Sequence, residues 1–526
     1  MNRIITRATK RVSLSNAATL LVAAALASQV LGFFRNRLIS TNFTQLHPGS
    51  TDAFFAAFQI PDFFFLTISA GAIGVALMPV LSDRLHENNR KRIWELTSSL
   101  LNVLSILMLV VGIIIFIFAD KLLLYAHLNA EQSRQAAMIM RLVAFNPLLF
   151  TLSGVITTVQ QTFGRFFFFA IAPLFYNLSI IASVYLFKND LGVVGLGVGA
   201  LIGGCLQLIV ASLGLWGLKF RYRPKILVKS ADFRQVLRQL PARSVDQGID
   251  SINSIVEINR ATALGQGPAS YYIYATTLQN VPIMLLGTSI ATAAFPRLAA
   301  RLSQKRPDLF DKDFLRILRV MIWLAMPVVV VCFFGRGYLA RLLYGDVAQS
   351  VALIFGYLTV AIFFRIIYSM ISRYFYARKD TWTPLFVSFF TIGLNIILAF
   401  TLARKTSYGI AGLAMAQSIA AGAEVFLLVT IMLIRDPMLF NRIFWGGCLR
   451  IVSVTGFSSM TAYIMVGFLP LNLTDRGFVT LGFKFAFIAG VTLLVHTGIS
   501  ALFGLEEAKT VLFKVKQLIL RPIRIQ

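Results

Sequence analysis

The chain has 526 residues, of which 57% are hydrophobic and only 13% are charged, and its formal net charge is +27. Many apolar runs reach about 20 residues, the length that crosses the hydrocarbon core of a bilayer. This pattern predicts an all-α polytopic membrane protein, because a β-barrel would show short alternating segments instead. The three cysteines lie far apart in apolar segments, so we expect no disulfide framework and no cysteine metal site.

Hydropathy predicts about fourteen transmembrane helices. They run roughly over 16–40, 52–83, 94–118, 136–160, 166–187, 192–218, 241–263, 270–300, 314–334, 350–376, 383–403, 408–434, 442–468 and 477–503. Most Lys and Arg residues then fall on one side of the membrane, notably in 84–92, 219–238, 297–319 and 509–524. The positive-inside rule makes that side cytoplasmic, so we expect both termini in the cytoplasm. Anionic membrane lipids account for the net charge without nucleic acid.

The two halves of the chain share short motifs, which predicts an internal repeat. Ile60-Pro61 and Met78-Pro79 in span 2 correspond to Val281-Pro282 and Phe295-Pro296 in span 8. An even number of spans per copy makes the repeat parallel, and transporters commonly place their site between such halves. We predict an N-terminal lobe (1–218), a basic amphipathic linker (219–240), a C-terminal lobe (241–434) and two appended helices with a basic tail (435–526) around a central cavity.

Three positions are candidates for bending elements. Pro61 and Pro282 lie inside predicted spans, where proline removes a backbone hydrogen bond and favours a kink. Gly32 precedes a polar run in span 1. These residues are expected either to open a side gate or to cause ordinary helix distortion.

Span 7 is the strongest signal of a cavity. Arg243, Asp246, Asp250, Glu257 and Arg260 fall on one arc of a helix at about 100° per residue. Each charge at mid-membrane costs at least about 2.5 kcal/mol, so this arc cannot face lipid. We therefore expect it to border a wet interior.

Several segments carry recognisable motifs. They are SQVLGFFR at 28–35, TDAFFAAFQIP at 51–61, MPVL at 78–81, FYAR at 375–378 and DTWTP at 380–384. Together with matches across nearly the whole chain, they resemble the MurJ (MviN) family of lipid II flippases. That family belongs to the superfamily of multidrug, oligosaccharidyl-lipid and polysaccharide exporters.

The resemblance implies transport of a lipid-linked peptidoglycan precursor through a cationic cavity. By that resemblance, Arg35 matches the family's span 1 arginine and Asp52 the aspartate that opens span 2. The chain also departs from the pattern, because Gln29, Phe65 and Thr277 stand where relatives usually carry basic residues. These departures leave the headgroup of the substrate open.

A polyprenyl-pyrophosphate glycan needs a cation for its pyrophosphate, and arginine suits phosphate because its planar fork donates two hydrogen bonds. Arg35 and Arg260 are the best candidates, and Arg37 and Arg243 come next. Two structural alternatives stay open, namely snorkelling of Arg35 and Arg37 to the interface and a helix pair between Arg260 and Glu257.

Carboxylates in such a cavity can bind a proton or a monovalent cation, which makes Asp52, Asp246, Asp250 and Glu257 candidates for ion coupling. The alternative is hydrogen bonding between helices. Glu424 in span 12 is expected to hydrogen-bond within the C-terminal lobe. We expect no cofactor, because no phosphate-binding loop is present and the four histidines have no ligand spacing. The membrane potential is a further candidate driver.

The sequence therefore predicts a flippase of the bacterial cytoplasmic membrane that moves lipid II or a similar lipid-linked glycan outward by alternating access, and not an enzyme. Its expected partners are the substrate, membrane lipids and other cell-wall synthesis proteins. Open alternatives are an exporter of another lipid-linked oligosaccharide, a drug or cation antiporter, a membrane-embedded glycosyltransferase and a degenerate scaffold.

Overall fold

A computed structural model describes residues 14–44, 48–70, 77–87, 89–224, 226–227, 230–472, 475 and 477–508. Some side chains within helices are not described, among them those of residues 239–247. The described residues are helical almost throughout and contain no β-strand, which confirms the predicted all-α fold. The chain divides into two compact units, Met1–Ser270 and Tyr271–Gln526.

The first unit is built from long helices joined by short turns. Its helices are α1 (Leu14–Ile39), α2 (Pro48–Phe65), α3 (Met78–His86), α4 (Arg90–Leu122), α5 (Ala130–Val143), α6 (Asn146–Thr162), α7 (Phe167–Leu191), α8 (Val194–Leu213) and α9 (Ala231–Ala263).

The second unit follows the same plan, and its first helix begins just before the boundary. Its helices are α10 (Pro268–Pro282), α11 (Ser289–Ser303), α12 (Pro307–Phe334), α13 (Arg336–Tyr344), α14 (Ala348–Ala377), α15 (Trp382–Leu402), α16 (Ala411–Arg435), α17 (Arg442–Phe468) and α18 (Phe478–Leu502).

Eleven helical stretches among the described residues are long and apolar enough to cross a membrane. They correspond to the predicted spans 3–6 and 8–14, whereas the predicted spans 16–40, 52–83 and 241–263 are not among them. The charged and polar side chains of α9 lower its hydropathy, as expected for a helix that does not face lipid. The count of fourteen spans, the repeat and the boundaries of the lobes stay predictions.

The apolar core of the first unit joins helices α3, α4, α6, α7 and α8. Its aromatic centre is Trp94, which stacks on Phe163 at a centroid distance of 5.5 Å. Phe233 and Val236 from the start of α9 are almost fully buried in the same core. The apolar residues predicted in the basic linker therefore serve to dock α9 onto the first unit.

Helix α9 is fixed to the first unit at both of its ends. At its start, the Ser230 hydroxyl caps the helix by accepting from the Phe233 N–H, and Arg84 donates two hydrogen bonds to the Asp232 carboxylate. At its end, the Asn259 amide donates to the Tyr125 carbonyl, and Thr262 accepts from the backbone of the segment that follows α4. A single helix of 33 residues thus joins the second part of the predicted linker to the predicted span 7.

Short π-helical segments interrupt the helices that carry the candidate bending residues. One follows α1 at Ser40–Thr44, one follows α2 at Leu66–Ala70, and one follows Pro282 at Ile283–Thr288. Pro61 lies inside α2, and Pro282 is the last residue of α10. In a π segment the backbone hydrogen bonds span five residues instead of four, which widens the helix locally, and such segments are common at functional sites.

In the second unit, polar side chains join the last two helices to α12. The Trp323 indole N–H donates to the Ser500 hydroxyl at 2.8 Å, and Ser458 and His496 are hydrogen-bonded at 2.8 Å. These groups are buried among apolar residues, where paired polar atoms fix one packing arrangement. They hold α17 and α18 against α12.

Candidate functional site

Arg35 lies in the last part of α1, and two asparagines orient its guanidinium. Its Nη1 donates to Asn177 Oδ1 at 3.0 Å, while Nε and Nη2 both donate to Asn36 Oδ1 at 3.2 and 3.1 Å. Asn177 in turn donates to the Ser28 hydroxyl at 3.4 Å. Because Asn36 and Asn177 are neutral, they position the guanidinium without offsetting its positive charge.

Asp62 is a candidate that the sequence reasoning missed. Its side chain is exposed, and Arg35 lies close enough to act on its carboxylate electrostatically. Tyr176 lies within the electrostatic range of both groups. The available signal was its place directly after Pro61, the last residue of the motif at 51–61.

Asp52 is 1% exposed, and both of its carboxylate oxygens accept hydrogen bonds within the first unit. One oxygen accepts from the Ser270 N–H at 2.8 Å and the Ser270 hydroxyl at 2.6 Å, and the other accepts from the Gly267 N–H. These N–H groups lie at the first turn of α10, where a carboxylate compensates unsatisfied donors and the helix dipole. The predicted role of Asp52 in substrate binding stays a prediction beside this capping role.

The described charges of α9 differ in exposure. Asp250 is exposed, Arg260 is partly buried and Glu257 is 8% exposed. The Asn253 amide donates to Glu257 Oε1 at 3.1 Å. Where the helix passes the π segment after α2, a Cβ at Gly248 would lie 3.3 Å from Thr67, so this polar stretch packs closely on the first unit.

Two predicted residues of α9, Arg243 and Asp246, lie outside the residues whose side chains are described. Arg37 is partly buried in the last turn of α1, where its carbonyl accepts from the Thr41 hydroxyl at 3.0 Å. Their roles in substrate binding and ion coupling stay predictions. The same holds for the gating roles of Gly32, Pro61 and Pro282.

The positions that depart from the family pattern are filled without cations. Phe65 packs edge-on against Phe150 at a centroid distance of 5.4 Å. The Thr277 hydroxyl donates to the Ile273 carbonyl at 2.7 Å, a local bond within its own helix. Gln29 is partly exposed on α1. At Phe65, an aromatic contact replaces a potential phosphate ligand.

In the second unit, an intramembrane ion pair joins three helices. Arg365 of α14 pairs with Glu424 of α16 at 3.3 Å, and the Ser388 hydroxyl of α15 donates to Glu424 at 2.6 Å. Glu424 is 4% exposed, so a hydrogen-bonded partner is needed to offset its desolvation. The expectation that Glu424 hydrogen-bonds within the C-terminal lobe is confirmed.

The described polar groups suit binding of an anionic headgroup better than bond-breaking chemistry. Arg35 presents a guanidinium held by amides, and the Asp62 carboxylate lies in its electrostatic range. No group of three His, Cys, Asp or Glu residues that could hold a metal ion occurs in the described part of the chain.

Comparison with known protein families gives a match over most of the chain. A family model described as lipid II flippase MurJ matches residues 49–480. The chain is 26% identical over 416 residues to a probable lipid II flippase MurJ of Buchnera aphidicola subsp. Acyrthosiphon pisum, covering 77% of this chain and 80% of that one. It is 23% identical over 511 residues to a probable lipid II flippase MurJ of Bdellovibrio bacteriovorus, covering 93% and 95%.

Solved structures show the same fold. A lipid II flippase MurJ in an inward closed conformation superposes with a TM-score of 0.76 at 23% identity, covering 92% of this chain and 98% of that one. An inward-facing multidrug resistance transporter of the MATE family, in the MOP superfamily, superposes with a TM-score of 0.65 at 16% identity, covering 78% and 95%. At these identities the likeness establishes the architecture.

Proposed function

We propose a function from the premise that this chain belongs to the lipid II flippase MurJ family. It moves a lipid-linked peptidoglycan precursor from the inner to the outer leaflet of the bacterial cytoplasmic membrane. The observation that carries the proposal is the family match over residues 49–480, joined to a fold shared with a lipid II flippase. Flippases are transporters and not enzymes. The apolar helices fit a multi-pass protein of the inner membrane.

The polar head of such a substrate cannot cross hydrocarbon unaided, so the protein must offer it a wet path while the polyprenyl tail stays in lipid. Alternating access supplies that path without opening a continuous pore. In our proposal, Arg35 is one ligand of the pyrophosphate, because its guanidinium is oriented by neutral amides and retains its charge. Arg260 of α9 is a second ligand.

We propose that transport is driven by the membrane potential, by protons or by a monovalent cation. An inside-negative potential favours outward movement of an anion by about 2.3 kcal/mol per charge per 100 mV. Asp250 and Glu257 of α9, together with Asp62 of α2, are the carboxylates we assign to coupling. We also propose that both termini lie in the cytoplasm, which the positive-inside rule supports.

Reconstitution tests the proposal directly. Full-length protein in proteoliposomes with fluorescent lipid II is expected to make the labelled headgroup accessible at the opposite leaflet, faster with an imposed potential of the correct sign. Liposomes without protein and liposomes with heat-inactivated protein are the controls. Absence of translocation under every imposed gradient would overturn lipid II as the substrate.

A second arm addresses the headgroup, which the departures at Phe65 and Thr277 leave open. The same vesicles are loaded with a polyprenyl-pyrophosphate carrying a sugar without the pentapeptide. Movement of this lipid in the absence of lipid II movement would retain the transporter class and change the substrate. Movement of neither lipid would contradict the proposed function.

A further inference from the structure

One face of α14 in the second unit is polar over the C-terminal part of the helix. Its residues recur at three- and four-residue steps, which places them on one side of a helix. They are Arg365, Tyr368, Ser369, Ser372, Arg373 and Tyr376. Arg365 is paired with Glu424. The other arginine of this face has different surroundings.

Arg373 is a partly buried cation whose contacts are aromatic rings. Its guanidinium lies 5.6 Å from the ring centroid of Phe295 on α11 and 5.7 Å from that of Tyr376. Its Nε atom is buried and has no hydrogen-bond partner, and no ion pair with a described carboxylate is formed. The ring faces stabilise the positive charge but accept no hydrogen bonds from the N–H groups in the plane of the guanidinium.

Three neighbouring arginines each form an ion pair with a carboxylate. Arg297 and Arg301 of α11 both pair with Asp313, at 2.7 and 3.1 Å. Arg378, one turn beyond Arg373, pairs with Asp311 at 3.1 Å. Arg373, unlike these three arginines, forms no ion pair with a described carboxylate.

An incompletely satisfied guanidinium inside a membrane span is costly unless a ligand completes its hydrogen bonds. A phosphate group suits it, because the planar fork can donate two parallel hydrogen bonds to phosphate oxygens while the aromatic rings stack on its faces. The basic residues at this end of α14 assign it to the cytoplasmic side by the positive-inside rule. Lipid phosphates of the inner leaflet lie at that depth.

We propose that Arg373 binds the phosphate of a membrane lipid, namely the pyrophosphate of the polyprenyl-linked substrate as it enters from the cytoplasmic leaflet. This inference rests on the proposed function and deepens it by assigning an entry site within the second unit. The same chemistry would also accept the phosphate of a resident phospholipid such as phosphatidylglycerol. The experiment must therefore separate these two sources.

The test is native mass spectrometry of the full-length protein in detergent, titrated with lipid II and separately with phosphatidylglycerol. R373A is expected to bind lipid II roughly ten-fold or more weakly than the wild type, the loss typical of a charged hydrogen bond. R373K is expected to retain part of the affinity, since it keeps the charge but not the planar fork. R316A is the matched control, an exposed arginine on α12 of the same unit.

Equal lipid II binding by R373A and the wild type would overturn the assignment, as would loss of phosphatidylglycerol alone. A wild type that binds no lipid II would overturn the substrate as the source of the phosphate. A wild type that binds lipid II through Arg373 but does not translocate it would support this site and contradict the proposed function. R373Q, which keeps most of the side-chain length, replaces R373A if thermal melting shows that the alanine variant is misfolded.

Discussion

At the scale of single residues, the charges of the first unit differ in what their hydrogen-bond partners do to them. Asp52 has both oxygens occupied by N–H and hydroxyl donors at the start of α10. Arg35, by contrast, is oriented by amides that do not cancel its charge. Residue type alone cannot separate these roles, because each depends on partners distant in the chain.

Arg260 provides the sharpest residue test of the proposed site. Arg260→Ala is expected to abolish translocation of lipid II while expression and the melting temperature stay near those of the wild type, because a lost phosphate ligand weakens substrate binding without opening the apolar core. The measurement is the proteoliposome assay. Arg316→Ala, an exposed arginine, is the control. Full activity of the Arg260 variant would remove this residue from the site.

Asp380 gives a pH prediction outside the membrane spans. Burial raises its pKa, but hydrogen bonds from Thr383 and Arg435 outweigh burial and leave the pKa below its ordinary value. A lowered pKa in the folded state stabilises the fold above the unfolded value near pH 4 and loses that contribution as the pH falls further.

Asp380→Asn is therefore expected to lower stability by up to about 1 kcal/mol at pH 7, the contribution of a partly exposed ion pair with Arg435, and this difference should shrink as the pH falls below about 4. The measurement is the melting temperature of both proteins in detergent between pH 7 and 3. A difference that stays constant over this range would show that the carboxylate charge does not carry the effect.

At the scale of elements, the hydrophobic pattern predicted most helices well, because length and apolar composition are local properties. It could not predict that one helix extends from Ala231 through the whole of the expected span 7. That continuity depends on Phe233 and Val236 finding a core formed by α3, α4, α6, α7 and α8. The hydrophobic pattern likewise did not predict the π segments after Pro61 and Pro282, although the two prolines indicated where the helices are distorted.

Gly32 tests whether α1 must bend. A Cβ added there would meet no atom within 4 Å, so Gly32→Ala should fit the structure and stiffen the helix by roughly 0.5–1 kcal/mol. If bending at Gly32 opens a gate, translocation should slow several-fold while the melting temperature holds or rises. Gly490→Ala in α18 is the control, since its Cβ also meets open space. Unchanged transport by both variants would exclude a hinge at Gly32.

At the scale of the whole molecule, composition predicted a polytopic membrane protein, and the resemblance of its motifs predicted the family of transporters. The substrate site was less predictable. Asp52 and Ser270 are 218 residues apart in the chain, and only the folded structure joins them. The sequence alone showed that Phe65 and Thr277 depart from the family pattern. It could not show the contacts that these two residues make in place of the missing cations.

Topology can be measured across the entire chain. We expect a cysteine at Lys405 to react with a membrane-impermeant maleimide in intact spheroplasts, and a cysteine at Arg92 to react only after permeabilisation. Both positions are exposed, and the charge distribution places them on opposite sides. Replacing Cys205, Cys332 and Cys448 provides the background for this experiment. The reverse labelling pattern would invert the proposed orientation.

The double anchorage of α9 has a mechanical consequence. A helix of 33 residues is a rod of about 50 Å, and clamps at Asp232 and Asn259 prevent either end from turning freely. One alanine inserted midway would rotate the distal segment by about 100° and advance it by about 1.5 Å, so one clamp would have to release. Helix α9 can transmit a rotation from one end to the other only while the contacts at both ends hold. Insertions that change its length therefore test whether the two contacts are coupled.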